Sequence, residues 1–335
     1  IVMGKLVTTA YAALDPSPTL NAWDKTLTPG GSSSGSAVSV ATGICPGALG
    51  SQTVGSTLRP AAYNGIVGLK PTFGRISAYG VLPLCWSLDT VGIITRTVAD
   101  AALLLQVMSG RDPLDSRTTP FEVGDYLSGL SNRPQKVKIG IVKDFFYGKS
   151  EKEITDHIDG VMNKLETSGA EVIEIQGSLS LDELLTATTT TFDVEAAATH
   201  GEEFQKNPQF FPPLISAIIE RGLHTPSGNY IEAQKIRSTV RSELTTVFEQ
   251  IDILATPSTP SQAPPRSGGT TGPALFQGPW TTCGLPSISI PSGLDSRGLP
   301  LGLQLAGPWL GEKHLLTIAQ WCEGVLGPLE DSRLA

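Results

Sequence analysis

One segment near the middle of the chain alternates a strand, a helix and a second strand, and this order constrains the fold most. The letters "VKIGIVK" and "AEVIEI" are short apolar runs, and "EKEITDHIDGVMNKLETSG" between them repeats apolar residues at helical spacing. Two strands that are joined through a helix lie parallel in one sheet. The sequence therefore predicts an α/β fold: a mixed, largely parallel twisted sheet surrounded by helices.

The composition is that of a globular protein and excludes two classes of partner. The 335 residues are 40% hydrophobic and 17% charged, which is enough to bury a sizeable core. A formal net charge of −8 without a cluster of Lys and Arg argues against nucleic acid. No apolar run reaches the length of a membrane span. We expect one domain over residues 1–335, and we expect the four scattered cysteines to be buried free thiols.

A Gly- and Ser-rich stretch, "LTPGGSSSGSAVSVATG", admits two simple interpretations. A flexible linker is disfavoured because a helix of small residues, "SGSAVSVATG", follows at once. The pattern G-x-S-x-G around Ser33 is typical of a hydrolase nucleophile elbow. That elbow needs a strand before it and a supporting Asp and His, whereas the preceding segment is polar and rich in turns. Neither interpretation accounts for the stretch.

Together with two later segments, the stretch resembles the amidase signature family, serine hydrolases that use a Ser–cis-Ser–Lys triad. The segments are "GGSSSGSA", "GSQTVGSTLRP" and "GIVGLKPTFG", and the resemblance continues through "SLDTVGIITRTVADAALLL", "DILATPSTP", "PWTTCGLPSISIPSG" and "GLPLGLQLAG". It spans nearly the whole chain. The resemblance implies hydrolysis of a small-molecule carboxylic amide through a serine acyl-enzyme, with no metal or organic cofactor.

The resemblance also assigns roles to individual residues. It makes Ser56 the acyl-forming nucleophile and Ser32, 24 positions earlier, the bridging serine. The backbone N–H groups of Thr53, Val54, Gly55 and Ser56 would form the oxyanion hole, because a Gly-containing turn can point several amides at one oxygen.

We further expect a cis peptide bond between Gly31 and Ser32, which would place the Ser32 and Ser56 hydroxyls within hydrogen-bonding distance. The base of this family is a neutral buried lysine that precedes the first segment. Because Lys5 in "IVMGKLV" matches a later, non-catalytic lysine, we expect the base upstream of Ile1 and an N-terminal portion that is missing from the chain. Lys70 is expected to be structural.

Two departures separate branches of the family. Gln52 stands where many members have Asp, and Arg59 follows the nucleophile by three residues rather than two. This form resembles the branch that acts on small amides, including carboxylate-bearing ones. Arg59 would then either bind a substrate carboxylate or pair with a carboxylate of the core, and both remain open. The aromatic residues Tyr63, Phe73 and Trp86 are expected in the core rather than in a substrate wall.

Two alternative functions also stay open. One is a glutaminase of the A-type amidotransferase class, which releases ammonia for a partner. The other is a non-catalytic remnant that lacks the general-base lysine. The partner expected for the main hypothesis is a small-molecule amide, with a homodimer as the assembly to test and the cytoplasm as the location.

Overall fold

The computed structural model describes residues 1–118, 120–132, 134, 136–175 and 179–329. Within them, eight strands form one sheet in the order β1-β3-β2-β7-β8-β6-β4-β5. The strands are β1 (Gly47–Gln52), β2 (Val67–Lys70), β3 (Thr90–Thr95), β4 (Lys138–Ile141), β5 (Glu171–Glu174), β6 (Ile253–Pro257), β7 (Ser287–Leu294) and β8 (Pro300–Ala306).

Helices surround this sheet. They are α1 (Ser34–Ala41), α2 (Leu58–Tyr63), α3 (Val98–Met108), α4 (Lys143–Tyr147), α5 (Lys152–Thr167), α6 (Leu181–Lys206), α7 (Pro213–His224), α8 (Ser227–Phe248), α9 (Gly278–Thr282) and α10 (Glu312–Leu326). In the part of the chain that the structure describes, no helix combines the length and the apolar character needed to cross a bilayer.

The mixed α/β sheet confirms the predicted fold class, but the share of parallel pairing is smaller than predicted. Strand β4 pairs parallel with β5 and with β6, as the strand–helix–strand segment predicts. The other pairings are antiparallel. The reason is that a tight turn joins β7 to β8, with the Asp295 N–H donating to the Leu299 carbonyl, and so short a connection permits only antiparallel neighbours.

Apolar side chains on one face of the sheet pack against α3, α5 and α10 in the largest core cluster. Helix α2 lies against β2 on the opposite face, where the Gly68 position has no room for a side chain because Ala61 and Thr57 are in contact with it. Helix α3 begins as predicted, with the Thr97 hydroxyl accepting the N–H of Asp100. The four cysteines are free and buried, as expected.

Candidate active site

The segment that contains Ser56 is a tight turn, residues 53–56, between β1 and α2. The last residue of β1, Gln52, fixes the start of the helix that follows. Its Oε1 accepts the backbone N–H groups of Thr57 at 2.9 Å and Leu58 at 3.0 Å. These are N–H groups that a helix cannot satisfy internally. Ser56 itself is 8% exposed, so its hydroxyl lies at the edge of the protein interior.

The backbone N–H groups of this turn are free to bind a ligand. Among the described residues, the N–H groups of Thr53, Val54, Gly55 and Ser56 have no hydrogen-bond acceptor. Buried backbone N–H groups are nearly always paired, so four consecutive unpaired donors are unusual. Such an array can hold one negatively charged oxygen.

Ser32 lies beside this turn. The Gly31–Ser32 peptide bond is cis, as predicted. Ser32 is fully buried, and its Oγ has no hydrogen-bond partner among the described residues. The predicted hydrogen bond between the Ser32 and Ser56 hydroxyls is therefore wrong for this structure. Catalytic hydrogen bonds are often long without a ligand, and here the backbone joins the two segments, because the Ser33 N–H donates to the Ser56 carbonyl at 3.2 Å.

The Ser33 hydroxyl is engaged elsewhere, which removes the nucleophile-elbow hypothesis. Its Oγ accepts the N–H of Ser51 at 3.1 Å and donates to the carbonyl of the same residue at 3.3 Å. No described histidine contacts Ser33. His200, for example, bonds to the Pro83 carbonyl at 3.0 Å. Ser33 thus fastens the start of α1 to β1.

Arg59 is fully buried and bonds only to the protein. Its Nε and Nη2 both donate to the carbonyl of Gly31, the latter at 2.6 Å, and its Nη2 also donates to Thr271 Oγ1 at 2.9 Å. Its Nη1 donates to the carbonyl of Gly272. No described carboxylate forms an ion pair with it. Burial lowers the pKa of Arg59 to about 10. The predicted core carboxylate is thus replaced by carbonyl and hydroxyl oxygens.

The lysines differ sharply in their surroundings. Lys5 is exposed, whereas Lys70 is the buried lysine of the described residues. Its Nζ donates to the Pro71 carbonyl at 2.7 Å, in line with a role in holding this loop, and contacts neither Ser32 nor Ser56. Burial lowers the pKa of Lys70 to about 7, and the Glu312 carboxylate partly opposes that effect.

Asp89 was not singled out from the sequence, although its motif "SLDTVG" belongs to a segment that carried the resemblance. Asp89 Oδ1 accepts the Thr53 hydroxyl at 2.6 Å, and Oδ2 accepts the N–H groups of Leu84 at 2.7 Å and Cys85 at 2.9 Å. This carboxylate therefore touches the turn that carries the free N–H groups. Within the described residues, no group of three His, Cys, Asp or Glu side chains is arranged to hold a metal ion.

Most of the chain matches known proteins. The family model described as Amidase matches residues 5–316. A glutamyl-tRNA(Gln) amidotransferase subunit of Halothermothrix orenii is 36% identical over 339 residues, which cover 92% of this chain and 71% of that protein.

Two solved structures share the fold over nearly the whole chain. A vestigial protein complex that reveals the evolutionary origins of an s-triazine catabolic enzyme gives a TM-score of 0.89 at 28% identity, covering 98% of this chain and 75% of that one. A peptide amidase in complex with the competitive inhibitor chymostatin gives 0.83 at 27% identity, covering 97% and 74%.

Proposed function

The chain belongs to the amidase family, a family of amide-cleaving enzymes, and on that premise we propose that it hydrolyses a small-molecule carboxylic amide through an acyl-enzyme on Ser56. The observation that carries this proposal is the set of four unpaired backbone N–H groups that ends at Ser56. A nucleophile beside an array of free donors is what acyl transfer requires.

Attack by the Ser56 hydroxyl oxygen on the amide carbon moves negative charge onto the carbonyl oxygen. The N–H groups of Thr53, Val54, Gly55 and Ser56 would hold that oxygen, since no protein acceptor competes for them among the described residues. Each well-placed donor of this kind is worth roughly a hundredfold or more in rate. These donors are fixed before the reaction, so they need no reorganisation during it.

Ser32 would carry the proton. As Ser56 attacks, its proton passes to Ser32 Oγ, and Ser32 gives its own proton to a neutral amine base. That proton then goes to the leaving nitrogen, the C–N bond breaks and an amine departs. Water next attacks the Ser56 ester, returning a carboxylic acid and the free hydroxyl. The buried, unpartnered Ser32 Oγ supports this role, and no described lysine contacts it.

One observation favours a second candidate function, the release of ammonia from glutamine for a partner protein. It is the 36% identity to the glutamyl-tRNA(Gln) amidotransferase protein of Halothermothrix orenii. The chemistry at Ser56 would be the same, and only the amide and the acceptor of ammonia would differ. Comparing turnover of p-nitroacetanilide with turnover of glutamine separates the two candidates.

Labelling with an alkyl fluorophosphonate tests the nucleophile in the full-length protein. We expect the wild type and Ser33→Ala to be labelled and Ser56→Ala to remain unlabelled. Ser33→Ala is the matched control because its hydroxyl lies in the adjacent segment but bonds to Ser51. Loss of labelling in Ser33→Ala alone would overturn the assignment of Ser56. An unlabelled wild type would favour a non-catalytic remnant.

A further inference from the structure

We propose that Asp89 is a positioning residue for the oxyanion hole and acts through the hydroxyl of Thr53; this inference rests on the function proposed above for the turn. The contact is a 2.6 Å hydrogen bond from Thr53 Oγ1 to Asp89 Oδ1. Asp89 does not touch the reacting atoms in this assignment. It holds the residue that carries the first free N–H group.

Each residue of the turn has its own anchor, and the anchors are of different kinds. The Val54 carbonyl accepts Thr281 Oγ1 at 2.8 Å, the Gly55 carbonyl accepts the Arg59 N–H at 3.0 Å, and the Ser56 carbonyl accepts the Ser33 N–H at 3.2 Å. Thr53 differs, because among the described residues its only hydrogen bond is the one from its side chain to Asp89. Without Asp89, the first donor of the array would lose its anchor.

The chemistry of the contact requires a carboxylate. All three groups that face Asp89 are donors: the Thr53 hydroxyl and the N–H groups of Leu84 and Cys85. Asp89 is 9% exposed and Thr53 is 4% exposed, so water does not readily replace a lost contact. Burial raises the pKa of the Asp89 carboxyl, and the hydrogen bond from Thr53 is the largest effect that opposes this. An Asn here would turn its NH₂ group toward at least one donor.

Asp89 is itself held rigidly from the side away from the turn. It bonds to the backbone of Leu84 and Cys85, and the same loop is fixed to α6 through Glu195. The Ser87 N–H donates to Glu195 Oε2 at 2.7 Å, and the Ser87 hydroxyl donates to Oε1 at 2.6 Å. The carboxylate that orients Thr53 therefore stands on a fixed support, as a positioning residue must.

Steady-state kinetics of the full-length protein with p-nitroacetanilide test the inference. We expect Asp89→Asn and Thr53→Val each to lower kcat by about 10- to 100-fold with KM changed less than about threefold, because the lost geometry matters in the transition state. The double variant should be no slower than the worse single variant, since both remove one contact. Thr53→Ser, which keeps the hydroxyl, should retain kcat within about threefold.

The matched control is Asp115→Asn. Asp115 is also a buried carboxylate that accepts a backbone N–H, from Ala78 at 2.8 Å, but it contacts no residue of the turn. We expect Asp115→Asn to change kcat by less than about twofold at a temperature where the variant is folded. A similar loss in both Asn variants, or multiplicative losses in the double variant, would show a general structural role and overturn the inference.

Two outcomes keep this inference distinct from the proposed function. If Ser56→Ala abolishes fluorophosphonate labelling but Thr53→Val keeps the wild-type kcat, the inference fails and the proposed function stands. If Ser56→Ala is still labelled, the proposed function fails first. Should Asp89→Asn not fold, the comparison of Thr53→Val with Thr53→Ser decides, because neither variant alters Asp89.

Discussion

The backbone N–H of Ser33 donates a 3.2 Å hydrogen bond to the carbonyl oxygen of Ser56. This bond joins the segment that carries the bridging serine to the turn that carries the nucleophile. Both hydroxyls therefore depend on the backbone around them for their relative position. Variants that disturb this backbone are expected to change activity even where they remove no reacting group.

Gln52 is predicted to contribute strongly to stability. Gln52→Ala leaves the buried N–H groups of Thr57 and Leu58 without an acceptor. Each unsatisfied buried donor costs about 1–3 kcal/mol, so we expect the free energy of unfolding to fall by about 3 kcal/mol. Urea unfolding measures this. Gln250→Ala, at an exposed position, is the control and should change little. A loss below about 1 kcal/mol for Gln52→Ala would show that water replaces the lost acceptor.

Lys70 is predicted to make stability depend on pH. Its pKa is lowered to about 7 by burial, whereas the unfolded chain binds the same proton up to a pH near 10.5. Between these values the unfolded state holds more protons, so the free energy of unfolding should rise with pH by about 1.4 kcal/mol per unit. Below pH 7 both states are protonated and the slope should vanish.

Urea unfolding of the wild type and Lys70→Met at pH 6, 7.5 and 9 isolates this contribution as the difference between the two proteins. Lys5→Met is the control at an exposed lysine and should follow the wild type. Parallel pH profiles for the wild type and Lys70→Met would mean that Lys70 stays charged when buried.

Arg59 is predicted to stabilise the fold rather than to select substrates. Arg59→Met removes donors from the Gly31 and Gly272 carbonyls and from Thr271 Oγ1, all within the interior. We expect the free energy of unfolding to fall by about 2–4 kcal/mol. The KM for a carboxylate-bearing amide should change no more than the KM for a neutral one. Arg111→Met, at an exposed arginine, is the control. A KM raised tenfold for the carboxylate-bearing amide alone would instead make Arg59 a substrate-binding residue.

Gly55 is predicted to tolerate no side chain. A Cβ there would lie 2.7 Å from Gln277 Oε1 and 2.9 Å from the Ala274 Cβ. Because Gln277 is fully buried and bonds to the Ser258 carbonyl, the turn must move instead. We expect Gly55→Ala to lower kcat by about tenfold or more. Gly160→Ala, where nothing lies within 4 Å of the new Cβ, should keep kcat and raise stability by about 0.5–1 kcal/mol. Wild-type kcat in Gly55→Ala would contradict a fixed turn.

Local patterns predicted the elements whose signals are local. The cap at Thr97 and the small-residue helix α1 are examples, because each depends on neighbouring residues. Helix α6 was missed because the face that it buries includes polar residues such as Thr191, Asp193 and Glu195 instead of an apolar stripe. Trp86, expected in the core, is 57% exposed, since aromatic character alone does not fix burial.

The candidate site divides in the same way. Its serines lie in recognisable motifs, and the cis bond between Gly31 and Ser32 was expected from them. The contacts that hold the site were not predictable from one sequence. Gln52, for instance, meets Thr281 from 229 positions away, and no local periodicity reports such a pairing.

The long separation of these contacts has a consequence for how the protein is made. Thr281 reaches the Val54 carbonyl across 227 positions, and Thr271 reaches Arg59 across 212. A ribosome that adds about 5–20 residues per second delivers the Ser56 turn roughly 10–45 seconds before its distant supports. Contacts between such remote residues form late in folding. Amide cleavage should therefore begin only when synthesis is well advanced, which keeps an unfinished nucleophile from acting while the chain is still emerging.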